Sequence, residues 1–150
     1  MEPLAREEVN RFVDDWYRNL DVHAPAKNML ALLAEDGLEI HFPEGTFRGR
    51  DEFRRLYDGW VRFYFDEVHE LKEFSTTPAG ETSEVKLVVN WKFRIWNPPA
   101  AKSRLLEYDA YQTWVVQRSP ASGQPVMVTY IVEALQPHNG SPPFGELLAQ

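Results

Sequence analysis

The chain has 150 residues, which suits one domain with a sizeable core. A formal net charge of −7 argues against nucleic-acid binding, which rests on Lys and Arg neutralising phosphates, and no polybasic run suggests an anionic membrane surface. The absence of cysteine excludes disulfides, thiolate metal sites and cysteine nucleophiles.

The amino terminus MEPLAREEVN is acidic and helical, without the basic and then apolar plan of a signal peptide. No apolar run approaches transmembrane length, so a soluble cytoplasmic protein is expected. Five Trp, six Tyr and nine Phe could form an aromatic core or wall a cavity with large rings.

From Arg6 to Leu20, Val9, Phe12, Val13, Trp16, Tyr17 and Leu20 repeat at steps of three and four, the signature of one buried helical face. Asp21 to Pro25 ends that helix and launches a second, whose buried side is Met29, Leu30, Leu32 and Leu33. Asp36-Gly37 is its expected stop. Leu38, Ile40 and Phe42 then alternate with Glu39 and His41, as in a half-buried strand, so His41 should point away from the core unless a bulge shifts the register by one residue. Pro43-Glu44-Gly45 is a turn, and Thr46-Phe47-Arg48 resumes extended chain. Phe53, Leu56, Tyr57, Trp60, Val61 and Tyr64 mark a third helix, with Asp51 and Glu52 in its first turn, where the helix dipole favours acids. Arg48, Arg50, Arg54, Arg55 and Arg62 are interleaved with acids and read as a solvated face.

Beyond this helix the period changes to two. Glu67–Thr77 reads as a strand whose imperfect alternation suggests a bulge. Thr82–Trp96 places Leu87, Val89, Trp91, Phe93 and Ile95 on one face and Lys86, Asn90, Lys92 and Arg94 on the other. Arg104–Arg118 and Val126–Gln136 complete the set, and the Pro- and Gly-containing tail from Pro137 should be loop or disordered. Three helices followed by long antiparallel strands is an α+β plan: a cone-shaped sheet curved around the helices, with a pocket at its open end. On the Arg104–Arg118 strand, Leu106, Tyr108, Ala110, Gln112, Trp114 and Val116 would cover the convex side. So much apolar surface predicts a homodimer. Glu107, Asp109, Tyr111 and Thr113 would then face the cavity.

Five segments carry a resemblance. Tyr17-Arg-Asn-Leu-Asp21, Leu32-Leu-Ala-Glu-Asp-Gly37, Phe47-Arg-Gly49, Phe65-Asp-Glu-Val-His69 and Tyr108-Asp-Ala-Tyr-Gln-Thr-Trp114, in that order, make residues 6–136 resemble the nuclear transport factor 2-like superfamily in its SnoaL-like branch. The resemblance implies the cystatin-like cone. It also implies either cofactor-free proton transfer in an apolar pocket, as in dehydratase, isomerase, cyclase and dehydrochlorinase members, or a module that only binds a small ligand or a protein partner. In the dehydratase and dehydrochlorinase members a base histidine opens the sheet and a carboxylate follows the first helix; His69 and Asp21 fall at those places. Asp109 falls where ketosteroid isomerase has a buried acid, and in an apolar pocket its pKa would rise. The chain departs from that isomerase in having Trp16 and Tyr17 near the expected tyrosine, and His41 or Phe42 where the base carboxylate should be.

The expected site is therefore His69 as base, Asp21 as its orienter and Asp109 as a polar or acid group, with Tyr17, Trp60, Trp91 and Tyr111 as walls for an apolar or aromatic small molecule. The plainer reading makes the tryptophans core residues and His69 a surface histidine at a strand start. His23 and His138 are expected in loops and receive no role. No cofactor is expected, and the scattered histidines give no metal-binding spacing.

Overall fold

The computed structural model describes residues 2–148. Helix α1 (Arg6–Asp21) buries the six apolar residues its periodicity marks out. Ala5 has no side-chain oxygen to cap it, and Glu8 instead reaches back to the Ala5 N–H at 3.0 Å. At the other end Ala24 N–H donates to Asn19 O and His23 N–H to Leu20 O, the 6→1 and 5→2 bonds of a Schellman motif. That motif needs a left-handed residue, and His23 supplies it at φ 51°.

Helix α2 (Ala26–Leu30) is a single short turn and stops well before Asp36. The following backbone pairs elsewhere: Ala34 N–H donates to Met127 O, and Met127 N–H to Leu32 O, each at 2.9 Å. Those groups cannot also continue a helix. Strands β1 (Glu39–Phe42) and β2 (Gly45–Arg48) form a hairpin, and α3 (Gly49–Phe63) follows. Four long strands complete the sheet: β3 (Phe65–Ala79), β4 (Thr82–Ile95), β5 (Arg104–Arg118) and β6 (Pro125–His138). Their order is β2-β1-β6-β5-β4-β3. The sheet is mixed rather than purely antiparallel, because β1 runs parallel to β6. Bulges interrupt β3 between Phe65 and Val68 and between Leu71 and Glu73, as its broken alternation predicts.

The facing of β5 is the reverse of the expected one. Trp114 is fully buried, edge-on to Phe12 at 6.1 Å and Trp16 at 5.9 Å, and Leu106, Tyr108, Ala110, Gln112 and Val116 share that helix-facing side. They make the core, so they give no ground for a dimer interface. The outer side carries Glu107, Asp109, Tyr111 and Thr113, paired across the ladder with Lys92, Asn90, Val88 and Lys86. The alternation was legible; which of the two faces met the helices was not, because both contain aromatic and polar residues.

Asp109 is accordingly no cavity acid. Its Oδ1 accepts from Asn90 Nδ2 at 3.0 Å; its Oδ2 accepts from Lys72 Nζ at 3.0 Å and meets His138 Nε2 at 2.9 Å. Burial pushes its pKa up, but the hydrogen bonds from Asn90, Lys72 and His138 outweigh burial and bring it down from 3.8 to about 2. A depressed carboxylate stabilises the fold above its unfolded pKa, and that contribution fades as pH falls through the folded value. Asp109→Asn should therefore cost about 1–2 kcal/mol near neutrality, discounted because Lys72 is half exposed. In urea titrations at a series of pH values, its deficit against wild type should shrink between about pH 4 and about pH 2.

Residues 137–148 of the tail are ordered. Tyr108 Oη donates to Pro142 O at 2.7 Å, and the Glu107 N–H donates to Ser141 Oγ at 2.9 Å. These bonds lead into α4 (Phe144–Leu148), where Phe144 packs edge-on to Tyr108 at 5.4 Å. Pro and Gly here build a path across the sheet rather than a free end. No helix among the described residues is long and apolar enough to cross a membrane.

Candidate active site

Between α1, α3 and the concave face of the sheet lies a cavity of about 590 Å³, including its open mouth. Tyr17, Phe42, Trp60, Tyr64, Trp91, Tyr130 and Phe144 supply its rings, with Leu20, Val132 and Leu135 between them. Its polar groups are Glu44, Glu67, His69 and Gln112. Trp60 and Trp91 thus serve both as core and as wall. Tyr111 does not line this cavity: it lies on the outer face, 41 % exposed.

His69 and Asp21 come together across 48 positions of sequence. Asp21 Oδ1 lies 2.5 Å from His69 Nδ1, and Oδ2 accepts the His69 backbone N–H at 3.2 Å. A carboxylate only accepts, so Nδ1 carries the proton and Nε2 is the basic nitrogen of a ring that lines the cavity. The His69 ring stacks on Tyr17 at 4.7 Å and on Trp91 at 5.8 Å, which fixes its plane. Asp21 is the last residue of α1, where the helix dipole disfavours a negative charge. Its acidic residue works against local helix preference and in favour of the contact with β3.

Tyr17 has its hydrogen bonding set by a relay. The Trp114 indole can only donate, and it donates to Gln112 Oε1 at 3.0 Å. That fixes the amide orientation, so Gln112 Nε2 donates to Tyr17 Oη at 2.9 Å. Tyr17 Oη is thus an acceptor from Gln112, and its own proton is free to point at a ligand. Burial, together with Tyr130 and Asp21, keeps this phenol protonated well past its ordinary range. A basic nitrogen and a preorganised O–H donor therefore stand against each other in an apolar enclosure. That arrangement can take a proton from carbon and stabilise the oxyanion that develops.

Sequence reading missed Glu67, Gln112, Tyr64, Tyr130 and Phe144 as cavity residues, and gave no role to His23. Glu67 is buried, accepts Trp91 Nε1 at 3.0 Å and pairs through its other oxygen with His23 Nε2. Its position two residues before His69 is a period-two signal that places both side chains on one face. His41 lies off the cavity, with Nδ1 3.2 Å from Thr46 Oγ1 and Nε2 3.4 Å from Glu39. No group of three or more His, Asp or Glu side chains among the described residues is placed to hold a metal ion.

No family model and no curated protein matches the chain. Solved structures do. A protein of unknown function with a cystatin-like fold from Nostoc punctiforme is 16% identical with a TM-score of 0.68, over 95% of this chain and 98% of that one. A provisionally assigned dehydratase of the nuclear transport factor 2-like family from Streptomyces avermitilis is 17% identical with a TM-score of 0.71, covering 88% and 95%. A hexachlorocyclohexane dehydrochlorinase from Novosphingobium barchaimii is 15% identical with a TM-score of 0.70, covering 92% and 94%. At these identities the likeness establishes architecture: the chain has the cystatin-like, nuclear transport factor 2-like fold.

Proposed function

We propose that the protein is a cofactor-independent enzyme that abstracts a proton from an apolar or aromatic small molecule, in a dehydration, isomerisation or cyclisation. The observation that carries this reading is the Asp21–His69 pair set into the wall of an aromatic cavity. Two provisionally assigned dehydratases and a hexachlorocyclohexane dehydrochlorinase among the structurally similar proteins support it. His69 Nε2 takes the proton, and Asp21 holds the tautomer and stabilises the imidazolium. Tyr17 donates to the oxygen on which charge collects, and the surrounding rings exclude water.

The test uses a probe that reports any well-placed base in an apolar pocket. In 5-nitrobenzisoxazole a base removes the C3 proton, the C=N bond becomes a nitrile and the N–O bond breaks, opening the ring to a coloured cyanonitrophenolate. Wild-type protein should turn this probe over faster than free imidazole at equal concentration. Tyr17→Phe should lower kcat/KM about tenfold or more and leave the circular dichroism spectrum unchanged. A cavity that binds the probe without accelerating its decay would make the protein a binding module.

A further inference from the structure

A second carboxylate–histidine pair, Glu67 with His23, sets its carboxylate in the cavity wall, and the base reading does not use it. Glu67 and His69 leave β3 on the same face, two residues apart. The Glu67 side chain is only 3 % exposed, and one of its oxygens accepts the Trp91 indole N–H. The other meets His23, whose ring is 22 % exposed. A carboxyl group has about four lone-pair sites, so both contacts leave capacity for a ligand. His23 thus connects a buried cavity acid to solvent.

The backbone around this pair is held in costly conformations. His23 occupies the left-handed closing position of α1 that glycine normally takes, and Asp66, next to Glu67, has φ 51° as well. Strain of this kind persists where surrounding structure over-determines it. A histidine at a glycine position, aimed at a buried glutamate, serves the contact rather than the turn.

We propose that Glu67 is the general acid of the site, recharged with protons from solvent through His23, and that the substrate class is a carbon acid with an oxygen leaving group, such as a β-hydroxycarbonyl compound. This deepens the proton-abstraction reading and rests on it. His69 takes the proton from the carbon next to the carbonyl, and the electron pair of that C–H bond forms the new double bond. The C–O bond to the hydroxyl breaks, and the leaving oxygen takes the proton of Glu67 and departs as water. The Glu67 carboxylate then recovers a proton through His23, while the His69 imidazolium releases its own to solvent. The other titratable groups around Glu67 are Tyr57 of α3, Tyr64 just after that helix, Tyr130 of β6 and Glu44 at the mouth; burial keeps the three phenols protonated.

A leaving-group comparison tests this. Unsubstituted benzisoxazole releases a more basic phenolate than its 5-nitro derivative and needs an acid more. Glu67→Gln should lower kcat/KM for the unsubstituted probe about tenfold more than for the nitro probe. An equal loss on both would make Glu67 structural and overturn the proposal. His69→Ala should lower both rates alike; if it leaves them unchanged while Glu67→Gln keeps its leaving-group dependence, the base assignment fails and the acid assignment stands. A second variant tests the relay. His23→Asn, which tolerates the left-handed backbone, should lower kcat/KM for the unsubstituted probe about tenfold more than for the nitro probe. An equal loss on both, or no loss on either, would overturn the relay.

Discussion

Replacing His69 with alanine should lower kcat/KM for 5-nitrobenzisoxazole by about 10²-fold or more, the usual contribution of a positioned general base. The loss should fall mainly on kcat, because the probe is held by Trp60, Trp91, Tyr130 and the other rings, which the substitution leaves in place. Added imidazole should restore part of the rate by occupying the space the side chain vacates. Asp21→Asn should lower kcat about tenfold or more, since an amide cannot stabilise the imidazolium by charge. His41→Ala should behave as wild type, because that histidine contacts Thr46 and Glu39 away from the cavity. A His69→Ala protein with wild-type turnover would remove the base from this site.

Trp114→Ala should cost about 3–5 kcal/mol in chemical denaturation. The ring is fully buried among Phe12, Trp16, Tyr17 and Tyr130, so truncation leaves a cavity that the crossing helix and sheet cannot close. Trp114→Glu should leave the protein unfolded rather than alter its association state, because the position faces the helices. Trp114→Phe separates packing from polarity. It keeps most of the ring but removes the indole N–H that donates to Gln112 Oε1, which should cost about 1–3 kcal/mol. It should also lower kcat/KM for the probe toward the Tyr17→Phe value, since Gln112 then loses the orientation that directs the Tyr17 proton.

Much of the architecture was legible because the apolar spacings of α1, α3 and β4 each match one period over many residues. His69 and Asp21 were legible through family resemblance; nothing in local spacing joins residues separated by 48 positions. What failed did so for physical reasons. On β5 both faces carry aromatic and polar side chains, so composition does not say which face meets the helices; the spacing alone puts Asp109 and Tyr111 on the cavity side and predicts an interface where the core row lies. The end of α2 was misplaced because tertiary pairing with Met127 overrides a helix-compatible sequence. Glu67 escaped notice because a bulge between Phe65 and Val68 blurs the alternation that would have aligned it with His69.

The placement of Glu67 and His69 on one strand has a stereochemical consequence. Trp91 donates to Glu67 and stacks on His69, and both side chains line the cavity, so both groups address a ligand from the same wall. A substrate lying against β3 must lose its hydrogen and its leaving group from one face, a syn elimination. Of two substrate diastereomers bearing deuterium at the prochiral carbon, the one with deuterium on the hydroxyl's side should give unlabelled alkene, and its partner should retain the label.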